Sequence, residues 1–203
     1  MKNFLIFSLV CLIAFSGCNQ AKPVKTIGNL KAGIKGETTA SAKYLAFAQK
    51  AREEGNDTIA KLFMAASKAE SIHAANHLKV LQSLGEQMED FKPEFEVKTT
   101  GENLQAAIEG ETYESTTMYP QFIEDAKGEK VQKAVQSFNW AFDTEKKHQQ
   151  FYQIALKSLN ENAEYKLAFD FYVCPKCGNT YDKGSIDQKC AFCQTDKEKF
   201  QMI

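Results

Sequence analysis

The stretch AESIHAANH at residues 69–77 decides the fold, because it places a Glu-x-x-His pair on a segment whose apolar residues recur at helical spacing. A second pair lies in TEKKH at residues 144–148. Residues three positions apart share one face of a helix, so each pair directs a carboxylate and an imidazole toward one point. One such pair usually belongs to a solvated helix face, and it is the repetition of the pair that indicates a metal site.

Each half of the chain carries a further glutamate ahead of its pair. Glu37 precedes Glu70 by 33 residues, and Glu111 precedes Glu145 by 34. These near-equal separations predict two facing hairpins that each supply Glu, Glu and His, a shell typical of di-iron bundle proteins. Glu114, three residues after Glu111, adds a fifth carboxylate to the same face. Because buried carboxylates do not stay ionised together without cations, the set predicts two ferrous ions, whose charge of +4 nearly balances −5.

Helical spacing extends through most of residues 34–160, with three interruptions. Residues 55–57 separate the first two helices, and Asp57 is the candidate N-cap of the second. Residues 85–101 form a long connection, and Gly128 separates the last two helices, 103–127 and 129–159. Short, long and short connections predict an all-α four-helix bundle with one long crossover. Pro120 is expected to bend the third helix.

Four cysteines near the C-terminus form two Cys-x-x-Cys pairs, Cys174 with Cys177 and Cys190 with Cys193. This spacing predicts a tetrahedral metal site with four thiolate ligands. The segment 165–203 is close to the size below which a domain needs a metal or a disulfide, so the metal is expected to hold this small domain together. The motif by itself does not distinguish iron from a structural zinc ion.

Composition and the N-terminus bear on location and partners. The 203 residues carry a net charge of −1, which gives no basic field for a phosphate backbone, so nucleic acid is not an expected partner. Residues 1–17 have the order of a secretory signal peptide, with an apolar run too short to span a membrane. Ser16-Gly17-Cys18 resembles a bacterial lipobox, which implies an exported lipoprotein held at a membrane through lipid on Cys18. Residues 18–33 are expected to be a polar tether.

Several motifs, taken in order, resemble the rubrerythrin family: Gly36-Glu37-Thr38, residues 69–74, residues 109–114, Met118-Tyr119-Pro120 and residues 144–148. The resemblance extends from about residue 30 to the C-terminus and implies a ferritin-like bundle joined to a rubredoxin-like tail. It also implies a di-iron site made by Glu37, Glu70, His73, Glu111, Glu114, Glu145 and His148. In that family the residues at the Glu114 and His73 positions exchange as the iron changes oxidation state. Tyr44 and Tyr119 match tyrosines that line the family's di-iron pocket, and each is either a functional hydroxyl or a core aromatic.

The expected activity is reduction of hydrogen peroxide to water, because a diferrous pair holds the two electrons that cleavage of one O–O bond consumes. The family's tail favours iron in the four-cysteine site, since an iron tetrathiolate delivers single electrons. The alternatives are an iron-oxidising or iron-sequestering protein of the ferritin-like class, and a structural metalloprotein with zinc in the tail.

Export implies an unidentified extracytoplasmic electron donor. The family's tail commonly serves a neighbouring subunit, which implies a homodimer or larger assembly. His77 is expected to be a polar neighbour of the site.

Overall fold

The structure, a computed structural model, describes residues 21–161 and 170–203. The predicted signal peptide, residues 1–17, and the predicted lipidation site Cys18 lie outside the described residues. A π-helical segment, Glu114–Met118, joins two of the helices into one continuous rod. The helices are α1 (Val24–Glu53), α2 (Asp57–Ser83), α3 (Thr100–Tyr113), α4 (Tyr119–Gly128) and α5 (Gln132–Asn160). Four helical rods therefore make up this part of the chain, and the predicted bundle is confirmed.

The first hairpin closes where the sequence interrupts the helical pattern. α1 ends at Glu53, and Gly55 takes a left-handed φ of 77° before α2 begins. Glycine adopts such a φ without the clash that a Cβ introduces. The predicted cap is displaced by one residue, because Asn56 occupies the N-cap position and Asp57 is the first helical residue. Neither the carboxylate of Asp57 nor the amide of Asn56 is needed as a side-chain cap for this helix to begin.

Residues 86–99 form the long crossover and have no regular secondary structure. The crossover ends in a capping box, in which the Thr99 hydroxyl accepts from the Glu102 backbone N–H and the Glu102 carboxylate accepts from the Thr99 backbone N–H. The backbone N–H of Thr100 also donates to the Glu54 carboxylate at 2.8 Å. This contact fixes the start of α3 against the end of α1.

The predicted tether, residues 18–33, is wrong from Val24 onward, because α1 already begins there. Ile27 and Leu30 are three residues apart on the buried face of α1 and pack in one apolar cluster with residues of α4 and α5. The start of the helix depends on a distant residue: the Glu129 carboxylate accepts hydrogen bonds from the backbone N–H groups of Lys25, at 3.1 Å, and Thr26, at 2.7 Å. An anionic acceptor stabilises the N-terminus of a helix, and this one lies a hundred residues away in sequence.

A π-helical segment directly precedes the turn that contains Pro120, the residue at which the sequence predicts a bend. Proline has no backbone N–H to donate to the preceding turn, and Pro120 lies in the first turn of α4, where that N–H is not needed. The π turn, with its i→i+5 hydrogen bonding, lies between Glu111 and Tyr119. Both residues are buried in the bundle interior.

The C-terminal tail is a small three-stranded antiparallel sheet, β1 (Phe171–Val173), β2 (Thr180–Asp182) and β3 (Gln201–Met202), in the order β2-β1-β3. Tyr172 pairs with Tyr181 of β2 and with Met202 of β3. The tail packs on α2 and α5: Phe171 is buried in the apolar core of the bundle, and the side-chain amide of Asn76 donates to the Lys176 carbonyl at 2.9 Å. Among the described helices, none has the length and apolar character that crossing a membrane requires.

Candidate metal centre

Two groups of four potential ligands lie in the middle of the bundle. The first consists of Glu37, Glu70, His73 and Glu145, and the second of Glu70, Glu111, Glu145 and His148. Within each group the ligand atoms all lie within 4.8 Å of one another, and all six side chains are buried. Because Glu70 and Glu145 belong to both groups, the arrangement has two metal positions that share two carboxylates. The structure thus brings together six of the seven predicted ligands.

Each rod of the bundle contributes to this cluster. Glu37 lies on α1, Glu111 lies on α3, and the two Glu-x-x-His pairs lie on α2 and α5. Along α2 the residues before Glu70 pack into one apolar cluster and those after His77 into another. The ligands therefore form a polar layer between two apolar cores, where a charge without a partner is costly.

Several buried polar atoms of the ligand cluster have no hydrogen-bond partner in the part of the chain that the structure describes, which bears on whether cations fit between them. Both Glu145 oxygens, Glu37 Oε2, Glu70 Oε1, Glu111 Oε2 and His148 Nδ1 are buried without a hydrogen-bond partner among the described residues. His148 Nδ1 lies 3.1 Å from Glu145 Oε2, yet the angles do not make a hydrogen bond. Lone pairs that converge on common points instead of on donors are what metal ligands show. The charge also fits, since four carboxylates balance two divalent cations.

The two histidines of the cluster face the carboxylates with Nδ1 and the tail with Nε2. His73 Nδ1 lies 3.0 Å from Glu145, whereas a Cβ added at Gly178 of the tail would lie 2.4 Å from His73 Nε2. His148 Nε2 lies 2.9 Å from the Thr180 hydroxyl. A hydrogen bond from the tail orients the His148 ring, as groups beyond the ligands commonly do at metal sites, whereas the tail packs against the His73 ring, whose Nε2 has no hydrogen-bond partner among the described residues. The sequence motifs identified the ligands but not these contacts.

Glu114 lies outside both four-ligand groups. The residue as a whole is half-buried, and its Oε1 lies 3.9 Å from where a Cβ at Gly36 of α1 would be. Burial and the nearby Glu37 carboxylate raise the pKa of Glu114. In this arrangement His73 is in the ligand cluster and Glu114 is not. The predicted count of five carboxylates around the metals is therefore reduced to four here.

Tyr44 and Tyr119 both donate to carboxylates of the cluster. The Tyr44 hydroxyl donates to Glu111 Oε1 at 2.7 Å, and the Tyr119 hydroxyl donates to Glu37 Oε1. Both tyrosines are buried, so each hydroxyl has an ionisable partner at the cluster in place of water. Tyr152, the residue four positions after His148, is also buried beside the His148 ring.

His77 is buried on α2, one turn beyond His73, and is not part of either ligand group. Its Nδ1 lies 2.7 Å from the Ser137 hydroxyl and its Nε2 lies 3.1 Å from the Tyr119 hydroxyl. Burial lowers the pKa of His77 to about 3, so the ring is neutral at neutral pH. The prediction of a polar neighbour of the site agrees with these contacts.

The four tail cysteines form a second ligand cluster, with all four Sγ atoms within 4.8 Å of one another. Cys174 and Cys193 are 3.5 Å apart and Cys177 and Cys190 are 3.4 Å apart, so neither pair is a disulfide. A tetrahedron with metal–sulfur bonds of about 2.3 Å has edges of about 3.8 Å, close to these separations. The tail is therefore a four-thiolate knuckle of the rubredoxin type.

Metal binding to the bundle should release protons and weaken as the pH falls. Burial and the Glu145 carboxylate raise the pKa of Glu111 to about 8, so before metal binds this carboxyl is protonated below that pH. Burial lowers the pKa of His73, but the nearby carboxylates, Glu145 first among them, raise it by more, so the pKa of His73 is raised overall. Because ligands bind metal in the deprotonated form, affinity for Fe²⁺ should fall about tenfold per pH unit for each proton displaced. Anaerobic calorimetry in two buffers at about pH 6 and about pH 8.5 measures this; an affinity independent of pH would contradict it.

Fold and site together define a class: a ferritin-like bundle with a carboxylate–histidine cluster of the di-iron type, joined to a rubredoxin-like knuckle. The sequence profile of the rubrerythrin family matches residues 28–156. The chain belongs to the rubrerythrin family.

Similar proteins cover most of the chain. Nigerythrin of Nitratidesulfovibrio vulgaris is 38% identical over 183 residues, which are 86% of this chain and 85% of that protein. Rubrerythrin-2 of Clostridium acetobutylicum is 34% identical over 181 residues, 89% of this chain and 97% of that protein. The structure of nigerythrin in its fully reduced, all-ferrous state superposes with a TM-score of 0.79 at 32% identity, covering all of both chains. Iron is thus present in that relative, and the donor atoms found here suit it in both clusters.

Proposed function

We propose that this protein is a non-haem di-iron peroxidase that reduces hydrogen peroxide to water with electrons passed from its tail. When bound, the paired ferrous ions supply the two electrons that reductive cleavage of an O–O bond consumes. The residues proposed to hold them are Glu37, Glu70, His73, Glu111, Glu145 and His148, with Glu114 joining in the oxidised state. The proposed ligands of the tail iron are Cys174, Cys177, Cys190 and Cys193.

One observation supports this proposal above the others: the knuckle lies against both histidines of the bundle cluster. Gly178 follows Cys177 directly and contacts His73, and Thr180 is hydrogen-bonded to His148. A short covalent and hydrogen-bonded route therefore connects the cysteine ligands with the bundle ligands. A protein that only oxidised and stored iron has no use for an electron-donating group at that position.

The bundle residues are proposed to serve the reaction by charge and by proton contacts. Buried carboxylates stabilise the higher charge of the oxidised centre without reorganising water. The Tyr44 and Tyr119 hydroxyls hold two of those carboxylates, Glu111 and Glu37, in fixed rotamers. The apolar clusters on either side of the polar layer exclude water, which strengthens each of these electrostatic contacts.

Steady turnover with a chemical donor tests the proposal. The iron-loaded full chain should oxidise a reduced viologen dye in proportion to added hydrogen peroxide, with two dye electrons consumed per peroxide, under anaerobic conditions. Sustained iron uptake and mineral formation without dye oxidation would instead support the iron-sequestering alternative and contradict the peroxidase. The dye serves as the donor because the physiological one is an unidentified carrier.

The bundle and the tail should lose iron independently. Cys177→Ser removes one thiolate of the knuckle, and no residue of the bundle cluster is a cysteine. The variant should lose the visible thiolate-to-iron charge-transfer absorption and keep two irons per chain in the bundle. Metal analysis with an optical spectrum measures both quantities. Loss of all three irons at once would show that the two sites depend on each other.

Export as a lipoprotein is proposed from Ser16-Gly17-Cys18, which follows a short apolar run. The mature protein should begin with a lipidated Cys18 and be held at the membrane by that lipid. Mass spectrometry of the mature N-terminus measures this. An intact Met1, or cleavage elsewhere without lipid, would contradict it.

A homodimer or larger assembly is also proposed, with the tail of each subunit kept against the bundle of its own chain, as in the contacts described above. Sedimentation of the full chain measures its size. A protein that stays monomeric while it turns over peroxide would contradict this arrangement.

A further inference from the structure

An open groove between α2 and α5 reaches down to a buried hydroxyl. The groove has a volume of about 330 Å³ and is lined among others by Asn76, Lys79, Trp140 and Ser137. Ser137 is 4% exposed, so its side chain belongs to the floor of the groove and not to its rim. The residues at this place are neither metal ligands nor part of the tail.

From Ser137 a continuous line of hydrogen bonds leads to the metal cluster. The Ser137 hydroxyl lies 2.7 Å from His77 Nδ1, and His77 Nε2 lies 3.1 Å from the Tyr119 hydroxyl. The Tyr119 hydroxyl in turn donates to Glu37 Oε1. The three residues come from α5, α2 and α4, so the line crosses the bundle from one side to its centre.

The hydrogen bonds from Ser137 through His77 to Tyr119 can all donate in one direction, toward the metal cluster. The Tyr119 hydroxyl donates to Glu37 Oε1, so its oxygen is free to accept from the Nε2–H of His77. The Nδ1 atom of the neutral ring then accepts from the Ser137 hydroxyl. Each member accepts on the side of the groove and donates on the side of the metals, which is the arrangement that a proton relay needs.

Gly33, on α1, leaves the space that the His77 imidazole occupies. A Cβ added at Gly33 of α1 would lie 3.1 Å from His77 Cδ2, closer than ordinary van der Waals contact. A larger residue at position 33 would therefore push the ring away from Ser137 or Tyr119. The position of the ring is set by packing as well as by its two hydrogen bonds.

We propose that Ser137, His77 and Tyr119 conduct protons from the groove to Glu37 during peroxide reduction. This inference rests on the proposed function, because conversion of one H2O2 to two H2O consumes two protons along with two electrons. Tyr119 passes its proton to the Glu37 side and takes one from His77 Nε2, while Nδ1 takes one from Ser137 and Ser137 takes one from water in the groove. No member needs a net charge at rest. Tautomer exchange or reorientation of the ring restores the starting arrangement after each proton, so two passes along the line supply the two protons of one turnover.

A matched pair of variants at Ser137 tests the relay. Ser137→Val and Ser137→Thr have side chains of the same shape, but only threonine keeps the hydroxyl. The first readout does not depend on catalysis: the exchange of the His77 ring N–H with water, measured by NMR in the full chain carrying Zn²⁺ in place of iron. The chain has three histidines, so His73 and His148 act as internal controls in the same spectrum.

The second readout is the anaerobic reaction of the reduced, iron-loaded chain with hydrogen peroxide. Ser137→Val should slow both His77 exchange and peroxide reduction by about tenfold or more and raise the solvent isotope effect, whereas Ser137→Thr should resemble the parent. Ser158→Ala, at the other end of α5, is the control for an unrelated buried serine. Equal exchange in the valine and threonine variants, or slower exchange without slower peroxide reduction, would overturn the relay. If the parent protein does not reduce peroxide, the proposed function is refuted. The exchange measurement would still show whether Ser137 exchanges protons with His77.

Discussion

Glu145→Ala is expected to leave the bundle without iron, whereas Glu114→Ala should keep both ions. Glu145 belongs to both four-ligand groups, and its two oxygens have no hydrogen-bond partner among the described residues. Its loss therefore removes a ligand from each metal position at once. Glu114 belongs to neither group. It is not needed to hold two ferrous ions, but it can supply negative charge once the centre is oxidised.

The two variants separate binding from turnover. Glu114→Ala should bind about two ferrous ions per chain and reduce peroxide more slowly than the parent by about 10-fold to 100-fold. Iron content and the rate of peroxide reduction after anaerobic reconstitution give both values. If Glu114→Ala is free of iron, or as active as the parent, the division of roles between these two carboxylates is wrong.

Gly178→Ala is expected to slow the delivery of electrons from the tail to the bundle. The added Cβ would lie 2.4 Å from His73 Nε2 and 3.2 Å from the Ala69 carbonyl, and Gly178 has a left-handed φ of 82° that alanine adopts at a cost of about 1 kcal/mol. The knuckle must therefore move away from the cluster. A displacement of about 1 Å at a positioned site can cost on the order of 100-fold in rate.

The rate to measure is re-reduction of the bundle after one addition of peroxide, in a protein whose tail spectrum shows that its metal is still bound. Gly184→Ala, also in the tail, is the matched control, because its nearest neighbour would be the Asp182 carboxylate at 3.9 Å. That variant should behave like the parent. Re-reduction of Gly178→Ala at the parent's rate would show that this contact does not carry electrons.

The ligand set could be predicted from sequence because each part of it is local. A Glu-x-x-His pair predicts two ligands on one helix face, and the near-equal spacing of Glu37 and Glu111 from their pairs predicts the other two. The same locality predicts the Cys-x-x-Cys knuckle. The bundle follows because the breaks at Gly55, at residues 85–101 and at Gly128 leave four segments of suitable length.

What the sequence did not predict depends on residues that are far apart in the chain. α1 begins at Val24 because Glu129 caps it, and no residue near position 24 carries that information. The contact of Thr180 with His148 exists only after the tail has docked. Ser137 is an ordinary serine on an amphipathic helix until the fold brings it to His77.

The proposal that the bundle irons reduce hydrogen peroxide with electrons from the tail is tested most directly by titrating the fully reduced full chain with hydrogen peroxide in the absence of oxygen. Valence of the bundle and tail irons is followed by Mössbauer and optical spectra. We expect one equivalent of peroxide per chain to be consumed for every two electrons, and one and a half equivalents to leave the bundle pair and the tail iron all oxidised. A bundle that stays ferrous in peroxide, or that is oxidised only by dioxygen, would contradict it.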